Sequence, residues 1–198
     1  MQKNSWKSKI LIILYFHIPA YLQEGNEYMQ KTKKWMDELE KLNYRVIDIE
    51  TPQNQDRMYE GLVENWGIDD IVICGQDNIG SVEMLQQYQD CKYEFCSNPC
   101  YMYKSSLGYD GKKINMIEFD DHIPPNQRLL EVDENPEFIN GICGTGLCCI
   151  KKELQLKMDV VNNRFHHQNF DYMLSKLARP IIKKFHLHYP LHEHEKKF

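Results

Sequence analysis

Residues 71–78 read Ile71-Val72-Ile73-Cys74-Gly75-Gln76-Asp77-Asn78. Four apolar residues, mostly β-branched, predict a fully buried strand. The run passes straight into a glycine, an amide and a carboxylate. In an open α/β sheet, ligands bind just outside the carboxyl ends of the strands. Asp77 therefore stands where a hard cation or a sugar hydroxyl could be held. The plain alternative is that Asp77 only caps the next helix.

Working outward, Lys9 to His17 reads as a first strand, stopped by Pro19. Glu24 to Leu42 reads as an amphipathic helix. Tyr28, Thr32, Trp35, Met36, Leu39 and Leu42 recur on one face, with lysines and acids between them. Tyr44 to Ile49 is a second strand. Asn54 or Gln55 opens a helix through Trp66, ended by Gly67. Ser81 caps a short helix through Gln89. Strand and helix alternate, which predicts a parallel sheet with right-handed crossovers. Such a half commonly binds a nucleotide. Neither GxGxxG nor GxxxxGK[ST] occurs, so a dinucleotide fingerprint and a Walker loop are both absent.

The remainder reads differently. Tyr93 to Tyr101 and Lys113 to Phe119 are strand candidates, followed by an irregular segment carrying Pro124, Pro125 and Pro136. Gly141 to Ile150 holds three glycines and ends in a strand, Leu147 to Ile150. Glu153 to Val160 and Asn169 to Leu177 are short helices, the second ended near Pro180. The tail is rich in histidine. No internal repeat or flexible linker is visible. Residues 1–198 read as one domain, with a nucleotide half over about 9–90 and an acceptor half over about 91–198.

Composition sets the outer bounds. The chain has 198 residues, enough to bury a core, with 42% hydrophobic and 27% charged residues. A net charge of −5 argues against nucleic acid as a main partner. The longest apolar run, from Ile10 to Phe16, is far short of the roughly 20 residues a spanning helix needs. Seven cysteines without paired CxxC knuckles argue against a structural zinc site. Core thiols in an intracellular, cytoplasmic protein are the expectation, with a structural disulfide left open.

The order of the pieces carries a resemblance. A parallel half ends in Gln76-Asp77. Then come Cys91-x4-Cys96, a strand with Pro99 and Tyr101, and Gly141-Ile142-Cys143-Gly144-Thr145-Gly146-Leu147. Phe170-Asp171-Tyr172-Met173 follows, and finally His186-Leu187-His188-Tyr189-Pro190-Leu191-His192-Glu193-His194. This resembles a small single-domain glycosyltransferase of the GT-A fold, similar to the family 2 group, of a size known among viral members. The resemblance runs from about Lys9 to His194, and the order of the motifs carries it more than any one of them.

That resemblance implies an α/β fold. A Rossmann-like parallel half is followed by a mixed-sheet acceptor half, with helices on both faces. It implies a transferase that moves a sugar from a nucleotide-diphospho-sugar to a glycan or glycoprotein hydroxyl with Mn²⁺ or Mg²⁺. Asp77 matches the last acid of the family's Asp-x-Asp, the metal ligand. Gly75 replaces the first acid, which weakens the match, and Gln76 can still bond a donor hydroxyl. Asp171 lies where the family has its base, although an acid in a helix's first turn is also favoured by the dipole alone. His192 and His194 lie where the family places a metal-binding histidine; alternation lets only one face the site, with preference for His192. Gly144, Thr145 and Gly146 lie where a loop meets the donor sugar, and a tight turn explains them equally well. Pro19, Asp48 and Glu50 would flank the nucleoside, and Arg57 the diphosphate. Asp69-Asp70 precedes its strand and so faces the wrong end of the sheet. No paired base is indicated for any cysteine, so none is expected to be a nucleophile. Tyr101, Tyr103 and Tyr109 are candidates to stack an acceptor sugar.

Two other readings compete. One is a non-catalytic GT-A scaffold that binds a nucleotide-sugar or a partner protein, favoured by Gly75. The other is a nucleotidyltransferase, which calls for a Gly-rich, Arg/Lys-bearing loop after the first strand. His17-Ile18-Pro19-Ala20 has neither feature.

Overall fold

A computed structural model describes residues 11–19, 25–51, 55–102, 113–119, 127–131, 133–163 and 170–194. The first part of the chain alternates strand and helix: β1 (Leu11–His17), α1 (Glu27–Lys41), β2 (Arg45–Glu50), α2 (Gln55–Asn65) and β3 (Asp70–Gly75). Next come β4 (Asn78–Ile79), α3 (Val82–Asp90), β5 (Phe95–Ser97), β6 (Tyr101–Met102), β7 (Lys113–Phe119) and β8 (Gln127–Glu131). The last part holds β9 (Phe138–Ile139), β10 (Gly141–Ile142), β11 (Leu147–Ile150), α4 (Lys152–Gln155), α5 (Phe170–Ile182), β12 (Phe185–Leu187) and β13 (Glu193–His194).

The caps explain where the early helices begin. Asn26 precedes α1 and its side chain accepts from Met29 N; Ser81 does the same for Met84 N at α3. Asn43 after α1 and Gly67 after α2 take positive φ, as residues just past a helix end commonly do.

The main sheet has seven strands in the order β2-β1-β3-β11-β5-β12-β9. β1 pairs in parallel with β2 and β3, the predicted parallel half. β11 runs antiparallel between β3 and β5, and β12 is again parallel to β5. The sheet is therefore mixed, as expected. The carboxyl ends of β1, β2, β3, β5 and β12 lie at one end, joined there by the amino end of β11.

Both faces are covered. Ile12, Leu14 and Phe16 of β1, with Ile71 and Ile73 of β3, pack with Leu62 of α2, Leu154 of α4, and Met173 and Leu174 of α5. The alternate residues Leu11, Ile13, Tyr15, Val72 and Cys74 pack with Trp35, Met36 and Leu39 of α1 and Met84, Leu85 and Tyr88 of α3. β1 and β3 have no solvent face, which is why they read as unbroken apolar runs. A smaller antiparallel sheet joins β6, β8 and β10 to β7. β13 returns antiparallel to β4. No helix among the described residues is long and apolar enough to cross a membrane.

Several boundaries differ from expectation. The strand expected over Tyr93 to Tyr101 is two, β5 in the main sheet and β6 in the small one. Pro99 lies between them, without an N–H for a ladder. The expected irregular segment contains β8 and β9, and the glycine-bearing segment after it opens with β10. α4 stops at Gln155; Leu156 is 69% exposed, while Met158 and Val160 beyond it pack into the core from non-helical backbone. α5 runs through Pro180 to Ile182 instead of ending before it. Pro180 costs the bond to Lys176, and both residues lie on the exposed side. Leu177, Ile181 and Ile182 still pack on the core and hold the last turns.

Candidate active site

Gln76, Asp77 and Asn78 form the turn that leaves β3. The Gln76 side chain reaches across to β1, and its Oε1 accepts from Ile18 N at 2.6 Å. That bond ties together the carboxyl ends of two central strands. Asp77 is half-buried beside it, and its Oδ1 accepts from Asn78 Nδ2 at 3.0 Å. Asn78 is buried. A Cβ on Gly75 would come within 2.6 Å of Asn78 Nδ2, and one on Gly146 within 2.6 Å of Asn78 Oδ1. Asn78 therefore fills the space between two glycines. This is a physical reason for Gly75 where the family pattern has an acid: a side chain there would displace Asn78.

The tail returns to the same turn. Backbone pairing places His194 opposite Asn78 and Glu193 opposite Ile79. His192 is 1% exposed. Its Nδ1 donates to Asn98 O at 2.7 Å, and its Nε2 lies 2.6 Å from Asn78 Oδ1. Its backbone N donates to Pro99 O. Both ring nitrogens are thus engaged by protein atoms, and His192 joins the β3 turn to the segment after β5. The side chain of His194 lies outside the described residues.

Thr145 and Asp171, singled out separately from sequence, meet. Asp171 lies in the first turn of α5, and its Oδ1 accepts from Thr145 N at 3.1 Å and from the Thr145 hydroxyl. Gly146 O accepts from Gly75 N at 3.1 Å, so the same loop is pinned to the end of β3. A Cβ on Gly144 would strike Asn115, whose Oδ1 accepts from Cys100 N. A connected series therefore runs from Asp77 through Asn78, Gly146 and Thr145 to Asp171. Burial of the Asp171 carboxyl raises its pKa, and the two bonds from Thr145 act against that rise. Burial, with Asp77 and Asp171 nearby, pushes the Cys100 thiol up.

The expected nucleoside side lies on the neighbouring strand ends. Pro19 is buried just past β1. Asp48 and Glu50 are exposed on β2; Asp48 lies 3.6 Å from Lys33 Nζ, and Glu50 is in register with His17. Arg57 in the first turns of α2 faces Glu60 at 3.4 Å and Glu64 at 3.6 Å. Tyr101 lies on β6, while Tyr103 and Tyr109 fall outside the described residues.

Asp77 suits a Mn²⁺ or Mg²⁺ site, because such ions take one or two carboxylates and fill the rest with water and substrate phosphate. His192 would have to give up a bond to Asn78 or Asn98 to join it.

The acid discarded from sequence is engaged elsewhere. Asp70, at the amino end of β3, lies 3.2 Å from Lys151 Nζ and accepts from Lys152 N at 2.9 Å. All seven cysteines are free thiols. Burial pushes those of Cys74, Cys143 and Cys148 up. Cys91 goes the other way: a hydrogen bond from Cys96 and the neighbouring His188 imidazole bring it down to about 4.

Sequence reading passed over Asn78, Ser97 and Asn98. Asn78 stood in the opening motif, but nothing marked it as the link to His192. Ser97 Oγ donates to Leu147 O at 2.9 Å, and Asn98 Nδ2 to Pro190 O at 2.9 Å. Those roles exist only once β11, β5 and the tail are assembled.

No protein-family model and no curated protein sequence matches the chain. Among solved structures, it is similar to a glycosyltransferase involved in the glycosylation of the major capsid of PBCV-1. The identity is 12%, over 91% of this chain and 82% of that one, with a TM-score of 0.46. It is also similar to a putative glucose-1-phosphate thymidylyltransferase from Bacillus anthracis, at 9% identity over 92% and 88%, with a TM-score of 0.47. A third is a CMP:2-keto-3-deoxy-manno-octonic acid synthetase complexed with CTP, at 7% identity over 92% and 90%, with a TM-score of 0.43.

Proposed function

We propose that this chain is a GT-A-type glycosyltransferase that uses a nucleotide-diphospho-sugar and a divalent cation. The observation that carries the reading is the connected series from Asp77 to Asp171 at the carboxyl ends of the parallel strands. Gln76, Pro19, Asp48, Glu50 and Arg57 would line the nucleotide's side. The Gly144-Thr145-Gly146 loop would meet the donor sugar. Asp77 would hold Mn²⁺ or Mg²⁺, which as a Lewis acid stabilises the departing nucleoside diphosphate. Asp171 would take the proton from an acceptor hydroxyl as that oxygen bonds to the sugar's anomeric carbon. Burial suits it to this, because it raises the carboxyl's proton affinity. Thr145 fixes its orientation.

The test is release of nucleoside diphosphate with Mn²⁺ and a panel of nucleotide-sugars, with Asp77→Asn and Asp171→Asn as controls. Turnover with one donor, lost in both variants, supports the reading. A second reading, a scaffold that binds without turnover, is favoured by Gly75 and by the engaged nitrogens of His192. Calorimetric binding of a donor without release in the wild type would establish it. If no donor binds, both readings fall.

A further inference from the structure

Cys91, His186 and His188 belong to no part of the proposed donor site. Cys91 caps the carboxyl end of α3. His186 of β12 is in register with Cys96 of β5. His188 follows two residues later, on the same side of the extended chain. The three meet on the α3 flank of the sheet.

Their geometry is that of a ligand set. Cys91 Sγ lies 3.5 Å from His186 Nδ1. One ligand atom from each of the three residues falls within 4.8 Å of the other two. The two imidazole rings stand nearly perpendicular, at 86°, with centroids 4.4 Å apart. Tetrahedral zinc, with Zn–S near 2.3 Å and Zn–N near 2.0–2.1 Å, sets sulfur and nitrogen about 3.5 Å apart. The Cys91–His186 pair already has that spacing.

The surroundings support the same chemistry. His186 Nε2 faces Glu137 at 3.9 Å, the outer carboxylate that orients many metal-binding histidines. His188 Nε2 is buried and has no hydrogen-bond partner among the described residues. The rings of Tyr93 and Tyr88 stand 4.5 Å from His186 and 5.7 Å from His188. They give the site an aromatic wall. One thiolate and two imidazoles favour zinc or a similar transition metal over the hard cations Mg²⁺ and Mn²⁺.

We infer that Cys91, His186 and His188 form a zinc site that ties the end of α3 to the C-terminal strand β12. Water or an external ligand fills the fourth position, as three-ligand zinc sites commonly arrange. The ion steadies the strand from which the tail runs on to His192 and the β3 turn.

The test is a Co²⁺ titration of the full chain, read by absorption. One equivalent should bind with a thiolate-to-cobalt charge-transfer band and tetrahedral ligand-field bands. Zn²⁺ should displace it, while excess Mg²⁺ should not. Cys91→Ser should abolish the charge-transfer band. His188→Ala should weaken Zn²⁺ binding by about 100-fold, and Glu137→Gln by roughly 10-fold. Asp77→Asn should leave the site intact. The wild-type spectrum reads the site even if a variant fails to fold. Absence of binding would overturn the inference. So would Co²⁺ binding without a thiolate band, which would put the ion on the terminal histidines instead.

Discussion

Asp70 and Asp77 stand at opposite ends of one buried strand, and their surroundings could hardly differ more. Asp70 is 5% exposed, paired with the buried ammonium of Lys151 and capping the start of α4 through Lys152 N. Asp77 is half-buried on a turn, braced by Asn78 and neighboured by the returning tail. The same residue type serves architecture at the amino end. At the carboxyl end it stands where a ligand can reach it. The reason is topological. In a parallel half, crossover helices pack back along the sheet, and the strands' carboxyl ends open toward a crevice.

The largest break in this contrast comes from Asp70. Asp70→Asn leaves the Lys151 charge buried without its partner and should cost about 3–5 kcal/mol, read by denaturant unfolding. Asp77→Asn should leave stability within about 0.5 kcal/mol of wild type. On the proposed function, its donor turnover should fall by roughly 100-fold or more, because cation-held stabilisation of the leaving group would be lost. Equal loss of stability in the two variants would erase the distinction between the ends.

Asp171 sharpens the contrast through pH. Its carboxyl is raised above the ordinary value of 3.8 by burial, so the folded state holds the proton more tightly than the unfolded chain. Its contribution to stability is therefore full below 3.8 and is lost as pH rises through the folded value. Asp171→Asn should flatten that decline, seen in melting temperatures across the acid range. Turnover should show an acid limb set by the same group. Thr145→Val removes the hydroxyl that favours the carboxylate, and should move the limb to higher pH with less than about a 10-fold loss at neutral pH. The smallest effect is at Cys91. In protein stripped of metal by a chelator, limited iodoacetamide near neutral pH should label Cys91 ahead of Cys74, Cys143 and Cys148, whose thiols burial holds up, and added Zn²⁺ should slow that labelling, as peptide mapping would show.

Much of the first half was legible because its signals are local. An apolar run, a helical stripe, Ser81 as a cap and Gly67 as a stop each act within a few residues. The second half was less so. β5, β9, β10 and β12 are two or three residues long, too short for a period to register. Pro180 misled because a proline's cost depends on whether its side of the helix is solvated. The cysteine spacing gave no sign of the cluster of Cys91, His186 and His188 because spacing sees only neighbours in the chain. Cys91 and His186 are 95 residues apart in sequence.

By itself, the sequence determined the alternation of strand and helix, the buried β1 and β3, and the position of Asp77 at a strand's carboxyl end. Those follow from side-chain periodicity and turn chemistry, which are short-range. Only the tertiary structure decided that β11 enters antiparallel beside β3, bringing the Gly144–Gly146 loop and Asp171 toward Asp77. It also decided that Asn78 fills the space beside Gly75, and that His192 ties the tail to that turn. Each of these is a contact between distant segments, settled by packing and hydrogen bonding that no window of sequence contains.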